Sequence, residues 1–570
     1  MKFLKLLITT TILVPFLSHS ADYYVANSGT NALGGGQGLS TGLPWQTIQF
    51  AISQSTTGDT IHIAAGQYPE QLGITHSLTL TGADTLNSPK GFDRHDSQTI
   101  IYPPTNFVPG TSVITLFTNN IAIQNLTVHG DGSSNGVADL PAAIWASEIP
   151  FSVSSCAVHT VTTYGILGLT TNSFESNTDA QRSYIGYTSI SNVVHPSGIF
   201  SAGLFLEKTP ATIEHNTFHT ITGTTANAGM YIHRCQFTTN MSLPLLVQDN
   251  CFDTVNLSIW ANRFGAAAEP IWIRGNEITN GVFGIRVTSA RAQSIISNNT
   301  IHVSGDLNGG SPAIGMWVHA DYDPWNTNNT LRATDHQVLN NRVTGSANSP
   351  DGTIGMLFAY DTLTATNINN GLHASASENE VSGFDFGVGV ESGTNMVDKP
   401  ADPLVVVNLN NNDIYGNITS DIYYIGQTNV LDVSNNWFGP FGPNNLIGPI
   451  TAFPWQLGQP GVDTDGDSLN DDLDPDDDND GRLDIEEAII GSGTTVSNAV
   501  PFGIESTIPS GTNTIVCWPS YQGRVYDLYR STNLLAGFTR VLDDAPATPP
   551  LNCYTDNVSS AFYRLEVALP

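Results

Sequence analysis

Short stretches of alternating apolar and polar residues fill residues 75 to 440, and one six-residue pattern recurs among them. An apolar residue, two further residues, an asparagine, one more residue and a second apolar residue make up the pattern, as in IEHNTF around Asn216. Two earlier copies carry Cys156 and Thr188 instead, and the closest copies are 23–26 residues apart. Further asparagine copies are centred on Asn250, Asn276, Asn299, Asn341, Asn379, Asn412 and Asn436. The spacing indicates an internal structural repeat.

A repeat of this length, built from segments with a two-residue period, predicts one solenoid coil of three short strands. A single coil cannot bury its apolar side, so stacking of successive coils completes the core. The asparagine suits a tight bend where amide side chains bond from coil to coil, and asparagine tolerates a left-handed backbone. The sequence therefore predicts an all-β solenoid.

The two ends of the repeat region fit this prediction. Ile48, Ala51 and Ile52 share one face of a short predicted helix, which leads into the alternating segments TIHIAAG and SLTLTG. Together with the asparagine pattern and a final coil at 435–455, these features resemble the right-handed parallel β-helix of the pectate-lyase superfamily. The resemblance covers residues 22–460 and implies the fold. Function stays open, because this fold hosts lyases, hydrolases, esterases, epimerases and adhesins.

A second segment follows each asparagine turn and begins with a small residue, as in GMYIHR at 229–234. Its second and fourth positions are mostly apolar and are predicted to point inward, so the third and fifth positions point outward. The third column contains Phe205, Tyr231, Trp260, Arg286 and Trp317. The fifth column contains Glu207, His233, Asn262, Thr288 and His319. Lys208, Arg234 and Arg263 occupy the sixth position.

These columns predict a glycan-binding face. Stacked coils would space the side chains about 4.8 Å apart and form an aromatic row beside a polar row. Residues 22–460 contain only 12 Lys and Arg residues, and four of them stand on this face. Clustered cations favour an anionic polysaccharide as the ligand. Predicted substrate contacts are Phe205, Tyr231, Trp260, Asn262, Arg263, Arg286, Trp317 and His319. A purely structural aromatic ladder is the alternative.

Lys208 and Arg234 stand in one column on adjacent coils, which resembles the chondroitinase B and alginate lyase family. The resemblance implies β-elimination, with Lys208 as base and Arg234 as acid. His233 and Glu207 complete the predicted catalytic set. In that family, calcium or arginine neutralises the uronate carboxylate. The resemblance therefore leaves open whether a calcium ion also binds at the cleft. This sequence departs from the family pattern, since His233 precedes the arginine rather than following it.

Two other functions are compatible with the same face. A glycoside hydrolase would need two carboxylates, and the candidates are Glu207, Asp321, Asp323, Asp361, Asp385 and Glu391. The other alternative is a calcium-dependent adhesin or glycan-binding solenoid without catalytic activity. Neither is excluded by the sequence.

Residues 461–491 form an acidic segment with regular spacing. Carboxylates recur at alternate positions, Gly481 supplies a turn, and the pattern matches a twelve-residue calcium loop. The segment resembles thrombospondin type 3 repeats and predicts a structural calcium-binding spacer. Its predicted ligands are Asp463, Asp465, Asp467, Asp476, Asp478, Asp480, Asp484 and Glu487.

The remaining segments concern export and partners. Residues 1–21 have a charged start, an apolar run and small residues, which predicts a cleaved signal peptide and a secreted, periplasmic or cell-surface protein. No later apolar run is long enough to span a membrane. A net charge of −32 argues against nucleic-acid partners.

Residues 492–570 predict a small β module, resembling modules on secreted bacterial polysaccharide-active proteins, with Cys517 and Cys553 as a plausible disulfide. The sequence does not predict an oligomeric state.

Overall fold

The computed structural model shows an all-β chain built from three long parallel sheets. It describes residues 20–83, 99–107, 110–130, 142–169, 182–194, 200–222, 227–233, 244–262, 271–288, 293–304, 313–321, 335–346, 352–361, 372–392, 405–426, 429–452, 454–459, 462–467, 469–471, 474–497, 502–533 and 537–569. The predicted signal peptide, apart from residues 20 and 21, lies outside these residues. Within them, successive strands visit the first, second and third sheet in turn, so each circuit is one coil of a right-handed parallel β-helix.

The first sheet has 13 strands in the described residues. They are Asp22–Val25, Asp59–Ile63, Leu78–Thr81, Ile121–Gln124, Phe151–Ser154, Ser183–Gly186, Ala211–Glu214, Leu245–Gln248, Ile271–Arg274, Ser294–Ser297, Asp335–Leu339, Leu372–Ser377 and Val405–Asn410. The second sheet has 12 described strands. They are Gly66–Pro69, Thr99–Tyr102, Thr127–His129, Ala157–Val161, Ser189–Val193, Thr217–Ile221, Cys251–Val255, Glu277–Gly281, Thr300–Val303, Arg342–Gly345, Glu380–Ser382 and Asp413–Tyr415.

The third sheet also has 12 described strands and includes the segments that the sequence assigns to the glycan-binding face. They are Leu72–Ile74, Ile114–Leu116, Ile144–Ser147, Tyr164–Leu169, Ala202–Glu207, Ala228–His233, Leu257–Asn262, Phe283–Thr288, Ile314–Asp321, Ile354–Asp361, Phe386–Ser392 and Ser420–Ile425. Leu431–Asp432 pairs with Ile450–Thr451 beyond the last coil. The inward positions of this sheet, such as Met230 and Ile232, are fully buried, as the alternation predicts.

The asparagine ladder is confirmed between the first and second sheets. Each ladder amide from Asn216 to Asn412 donates to the side-chain oxygen of the next asparagine over 2.8–3.0 Å. Thr188 continues the column at its start, where its backbone N–H donates to the Asn216 side chain at 3.0 Å. All eight asparagines are buried, so their hydrogen bonds replace those that water would make.

The expectation that the ladder asparagine itself takes the left-handed backbone is wrong. The residue before it does so instead, for example His215 at φ 56° and Asp249 at φ 53°. That residue forms the bend and faces outward. The following asparagine is thereby turned inward, where its amide can reach the neighbouring coils.

A helix of residues Ile48–Gln54 covers the start of the solenoid, and Ile48, Ala51 and Ile52 are buried as predicted. Gln49 connects this helix to the first strand of the third sheet. Its side-chain oxygen accepts the Gly73 N–H at 2.9 Å, and its side-chain nitrogen donates to the Gly73 carbonyl at 3.4 Å. The Gln49 amide therefore bonds to Gly73 as a neighbouring strand would.

The C-terminal region contains a second helix and two small antiparallel sheets. The helix is Asp484–Ile490. One sheet comprises Ser506–Ser510, Asn513–Pro519 and Leu551–Asp556, and the other Val525–Ser531, Thr539–Pro546 and Phe562–Ala568. A disulfide joins Cys517 to Cys553, as the sequence suggested. Neither helix in the described part of the chain is long and apolar enough to cross a membrane.

Candidate functional site

The outward columns of the third sheet are in the register that the sequence predicted. Parallel pairing aligns Phe205 with Tyr231, Tyr231 with Trp260, Trp260 with Arg286, and Arg286 with Trp317. The neighbouring polar column aligns from Glu207 through to His319 in the same way. Sequence reasoning missed that the column of Phe205, Tyr231 and Trp260 begins two strands earlier. Trp145 pairs with Leu167, and Leu167 pairs with Phe205. The alternation around Trp145 in AAIWAS was the available signal.

Aromatic rings and one guanidinium form a continuous row along this column. The Tyr231 ring lies 4.6 Å from the Trp260 ring, centroid to centroid. The Arg286 guanidinium carbon lies 4.8 Å from the Trp260 centroid and 4.1 Å from the Trp317 centroid. Both distances are within the range of cation–π attraction. The guanidinium of Arg286 is therefore held between two indole rings.

Phe205 does not offer an open face, which corrects its prediction as a substrate contact. It is only 8% exposed, and its ring lies 5.0 Å from the Tyr164 ring and 5.1 Å from the Tyr231 ring. The residues that pair with Tyr164 along its own column are Ala202 and then Ala228, whose side chains are small. Phe205 packs in a small apolar cluster with them on the outer side of the sheet. By contrast, Tyr231, Trp260, Arg286 and Trp317 are half-buried.

The polar column is more buried than the sequence suggests. Asn262, Thr288 and His319 are all buried, although they lie on the outward side of the sheet. The Asn262 amide donates to the Tyr231 hydroxyl at 2.9 Å. Thr288 Oγ1 and His319 Nδ1 have no hydrogen-bond partner among the described residues. Burial, and secondarily the charge of Arg286, lowers the pKa of His319 to about 4, so its imidazole is neutral at physiological pH.

The predicted catalytic set is only partly described. His233 Nδ1 lies 3.8 Å from Glu207 Oε1, so these two side chains are neighbours across one coil step. Lys208 directly follows its strand in a left-handed conformation at φ 53°, and its backbone N–H donates to the His233 carbonyl at 3.0 Å. Arg234 and Arg263 lie outside the described residues. The Lys208–Arg234 pairing therefore remains a prediction.

The carboxylates considered for hydrolysis differ in how closely the backbone brings them together. Glu207 and Glu391 are six strand steps apart, about 29 Å at the usual strand spacing. Asp385 belongs to a turn, because its carboxylate accepts from Thr419 Oγ1 and from the Gly352 N–H. The backbones of Asp321 and Asp361 stand in register on adjacent strands. Asp323 lies outside the described residues.

The acidic spacer brings its predicted calcium ligands together in two groups. Carboxylate oxygens of Asp463, Asp465 and Asp467 lie within 4.8 Å of one another, and so do those of Asp476, Asp478 and Asp480. Gly481 has φ 91° and donates its N–H to Asp476 Oδ2 at 3.0 Å. The turn that the loop pattern requires is therefore present in the second group.

Asp484 and Glu487 follow the second group on the helix Asp484–Ile490, and both are buried. Burial raises the pKa of Glu487 to about 7, with Asp478 and Asp480 adding repulsion. Buried oxygens of Asp476, Asp478, Asp484 and Glu487 have no hydrogen-bond partner among the described residues. Orphaned carboxylate oxygens in such a group fit a hard divalent cation such as calcium, which prefers oxygen ligands.

Comparisons with known proteins add little to this geometry. No protein-family model matches the sequence, and a search of curated proteins finds no match. The chain is similar to the solved structure of XylC with xylose, at a TM-score of 0.39 and 9% identity, over 95% of this chain and 100% of that one.

Two further similarities have lower TM-scores. The pectin methylesterase of Aspergillus niger gives a TM-score of 0.30 and 15% identity, over 61% of this chain and 92% of that one. The tailspike protein gp49 of Acinetobacter baumannii bacteriophage Fri1, a capsular polysaccharide depolymerase, gives 0.26 and 10%, over 91% and 81%. The chain itself is a parallel β-helix on the evidence of its three sheets and their register.

Proposed function

We propose that this protein binds an anionic polysaccharide on the outer face of the third sheet and cleaves it by β-elimination. The observation that carries the proposal is the row of Tyr231, Trp260, Arg286 and Trp317 on consecutive strands. An extended polymer matches such a row, because sugar rings stack on aromatic faces at regular intervals. A structural aromatic ladder would not need a cation at its centre.

Arg286 gives the face its preference for anions. Its guanidinium is fixed between Trp260 and Trp317, so little side-chain freedom is lost when it binds a carboxylate. The buried Thr288 and His319 lie beside it, and both have polar atoms without partners among the described residues. Because these atoms are buried, Arg286 rather than Thr288 or His319 would contact the ligand.

The chemistry is assigned to Lys208, with Arg234 as its partner. Lys208 would remove the proton next to the uronate carboxyl group, and the electron pair of that C–H bond would form a C=C bond. The bond from the neighbouring ring carbon to the glycosidic oxygen then breaks, and Arg234 would protonate that oxygen. A positive charge close to the carboxylate is required, since negative charge spreads onto it in the transition state. Glu207 and His233, 3.8 Å apart, would fix the position of the strand end that precedes Lys208.

The test is incubation of the purified protein with alginate, chondroitin and pectin, followed by ultraviolet absorbance of unsaturated uronate products. A lyase produces this absorbance, and Lys208→Ala abolishes it while circular dichroism stays unchanged. Reducing ends without the absorbance would indicate a hydrolase and would refute the role of Lys208. Retained binding without any product would instead indicate an adhesin.

A matched pair of arginines separates specific binding from general charge. Arg286 and Arg274 both lie over a tryptophan, but Arg274 is on the first sheet, 5.4 Å from the Trp272 ring. Arg286→Ala should weaken binding of the polysaccharide that is cleaved, and Arg274→Ala should not. Equal losses would contradict the assignment of the third sheet as the binding face.

The acidic spacer is proposed to bind calcium as a structural ion. Its carboxylate groups and orphaned buried oxygens support this role. The same proposal places the mature protein outside the cytoplasm, where calcium is abundant and the Cys517–Cys553 disulfide is stable. Calorimetric titration of the metal-free protein should show binding, and Glu487→Gln should weaken it.

A further inference from the structure

A second polar groove runs along the turn between the first and second sheets, outside the asparagine ladder. Its volume is about 770 Å³, and it spans four coils. One wall is formed by the left-handed residues before the ladder positions, and the other by the first residues of the second-sheet strands. The groove is on a different side of the solenoid from the third sheet, so it is independent of the proposed polysaccharide-binding face.

Two carboxylates lie side by side on one wall of this groove. Glu380 and Asp413 are the first residues of adjacent parallel strands and are direct register partners. The backbones of adjacent strands are about 4.8 Å apart, and both residues line the groove. This backbone spacing is compatible with the roughly 5 Å between the two carboxyl groups of retaining glycosidases.

The two carboxylates have different surroundings. Glu380 accepts the Tyr415 hydroxyl at 2.9 Å on Oε1, and Oε2 lies 3.3 Å from Arg342 Nε. Among the described residues, no cation pairs with Asp413. Gln459 Nε2 donates to its Oδ2 at 3.4 Å, and Glu380 is its charged neighbour in register. Burial, with a contribution from Glu380, raises the pKa of Asp413 to about 6.

We propose that this groove is a second catalytic site, which hydrolyses a glycoside with retention of anomeric configuration. Glu380 is the nucleophile and Asp413 is the general acid and base. Two neighbouring carboxyl groups in different surroundings, one of them with a raised pKa, are the arrangement that such chemistry uses. The side-chain amides of Asn298, Asn340 and Asn411 line the groove and offer hydrogen bonds to sugar hydroxyls.

The reaction has two balanced steps. In the first, Glu380 forms a bond to the anomeric carbon while the bond to the glycosidic oxygen breaks, and Asp413 gives its proton to that oxygen. In the second, a water molecule loses a proton to Asp413 and attacks the anomeric carbon, which releases Glu380 as a carboxylate. Substrate and water are consumed, two sugar products form, and both side chains return to their initial states.

A trapping experiment tests this assignment. The full chain is incubated with a panel of dinitrophenyl glycosides in which fluorine replaces the hydroxyl beside the anomeric carbon, in gluco, galacto, manno and xylo forms. A retaining site releases one dinitrophenolate per chain with at least one member of the panel, and peptide mass spectrometry finds the sugar on Glu380. No release with any member, or a label on another residue, overturns the proposal.

Variants distinguish this site from the third sheet. Glu380→Gln should abolish labelling, and Asp413→Asn should slow hydrolysis of unactivated glycosides at least tenfold more than that of dinitrophenyl glycosides. Glu378→Gln is the matched control, because Glu378 lines the same groove but lies two residues before Glu380. Lys208→Ala should leave labelling intact. Labelling that persists in Glu380→Gln would refute the role of Glu380, whatever the result for lyase activity.

Discussion

The amide of Asn262 donates a 2.9 Å hydrogen bond to the hydroxyl of Tyr231 on the preceding coil. The bond joins the polar column to the aromatic row, because the two residues belong to different columns of the third sheet. Asn262 is buried, while Tyr231 is half-buried and neighbours Trp260. Asn262 therefore fixes the direction of the Tyr231 ring rather than contacting an open cleft itself.

Replacing Asn262 by Ala should weaken polysaccharide binding by about fivefold, since one neutral hydrogen bond contributes about 1 kcal/mol. Tyr231→Phe removes the same bond while keeping the ring, so the double variant should lose little more than either single one. Binding isotherms of the three variants measure this coupling. Asn408→Ala, on the exposed side of the first sheet, is the control and should have no effect.

Arg286→Ala should reduce affinity for an anionic polysaccharide at least about tenfold, which corresponds to about 1.4 kcal/mol. The loss combines a charge-assisted contact with two cation–π interactions that hold the guanidinium. The remaining affinity of the variant should depend less on salt concentration than that of the wild type. Affinity electrophoresis at two ionic strengths measures both effects, and an unchanged salt dependence would contradict an ionic role.

His319 should make the fold sensitive to acid. Its folded pKa of about 4 lies below its ordinary value of 6.5, so the unfolded chain binds the proton more readily. The stability contributed by neutral His319 is complete above about pH 6.5 and is lost as the pH falls towards about 4. His319→Gln should flatten the pH dependence of the urea midpoint in this window. A nuclear magnetic resonance titration should also show the pKa rising in Arg286→Ala.

Asn299→Ala should destabilise the solenoid by about 3 kcal/mol or more. The Asn299 amide donates to the Ile273 carbonyl and to Asn341, and its oxygen accepts from the backbone and side chain of Asn276. Alanine leaves these buried groups without partners, each at a cost of about 1–3 kcal/mol. Asn340 directly precedes the next ladder residue, Asn341, and has an exposed side chain on a left-handed backbone. Asn340→Gly should therefore change stability by less than about 1 kcal/mol. Urea denaturation compares the two variants.

The calcium-free spacer should be more stable in acid than at neutral pH. The folded pKa of Glu487 is about 7 against an ordinary value of 4.5, and that of Asp484 is about 6 against 3.8. The folded spacer therefore binds more protons than the unfolded one, and its stability falls as pH rises from about 4 to about 7. Added calcium should reverse this loss at neutral pH.

Limited proteolysis with and without a chelator provides the measurement for the spacer. At neutral pH, cleavage between residues 461 and 491 should require the chelator. Glu487→Gln should be cleaved even with calcium present. Glu486→Gln is the matched control, because Glu486 is the exposed neighbour on the same helix. Equal protection of both variants would argue against Glu487 as a ligand.

Most of the solenoid could be predicted from sequence because its rules are local. Alternation along GMYIHR assigns Met230 inward and Tyr231 outward, and the asparagine period then sets which coils are neighbours. The resulting register from Phe205 to Trp317 agrees with the structure. The ladder bend was assigned one residue too late, because sequence shows that a turn is needed but not which of two adjacent polar residues adopts it.

Burial on the outer side of the sheet could not be predicted in this way. Alternation gives the direction of Phe205 and His319, but it does not reveal that both are covered. The burial of an outward-facing side chain depends on the sizes of the side chains in neighbouring columns, such as Ala202 beside Phe205. The Glu380–Asp413 groove was missed for a related reason, since these residues are far apart in sequence and look like ordinary turn residues until strand pairing places them side by side.

The contact of Gln49 with Gly73 has a consequence for the behaviour of the protein in concentrated solution. Parallel sheets of a dozen strands end in unpaired backbone groups, and such edges can recruit further copies into filaments. The Gln49 amide occupies both backbone groups of Gly73 at one such end. One side chain from a seven-residue helix thus protects the third sheet against end-to-end polymerisation at that position.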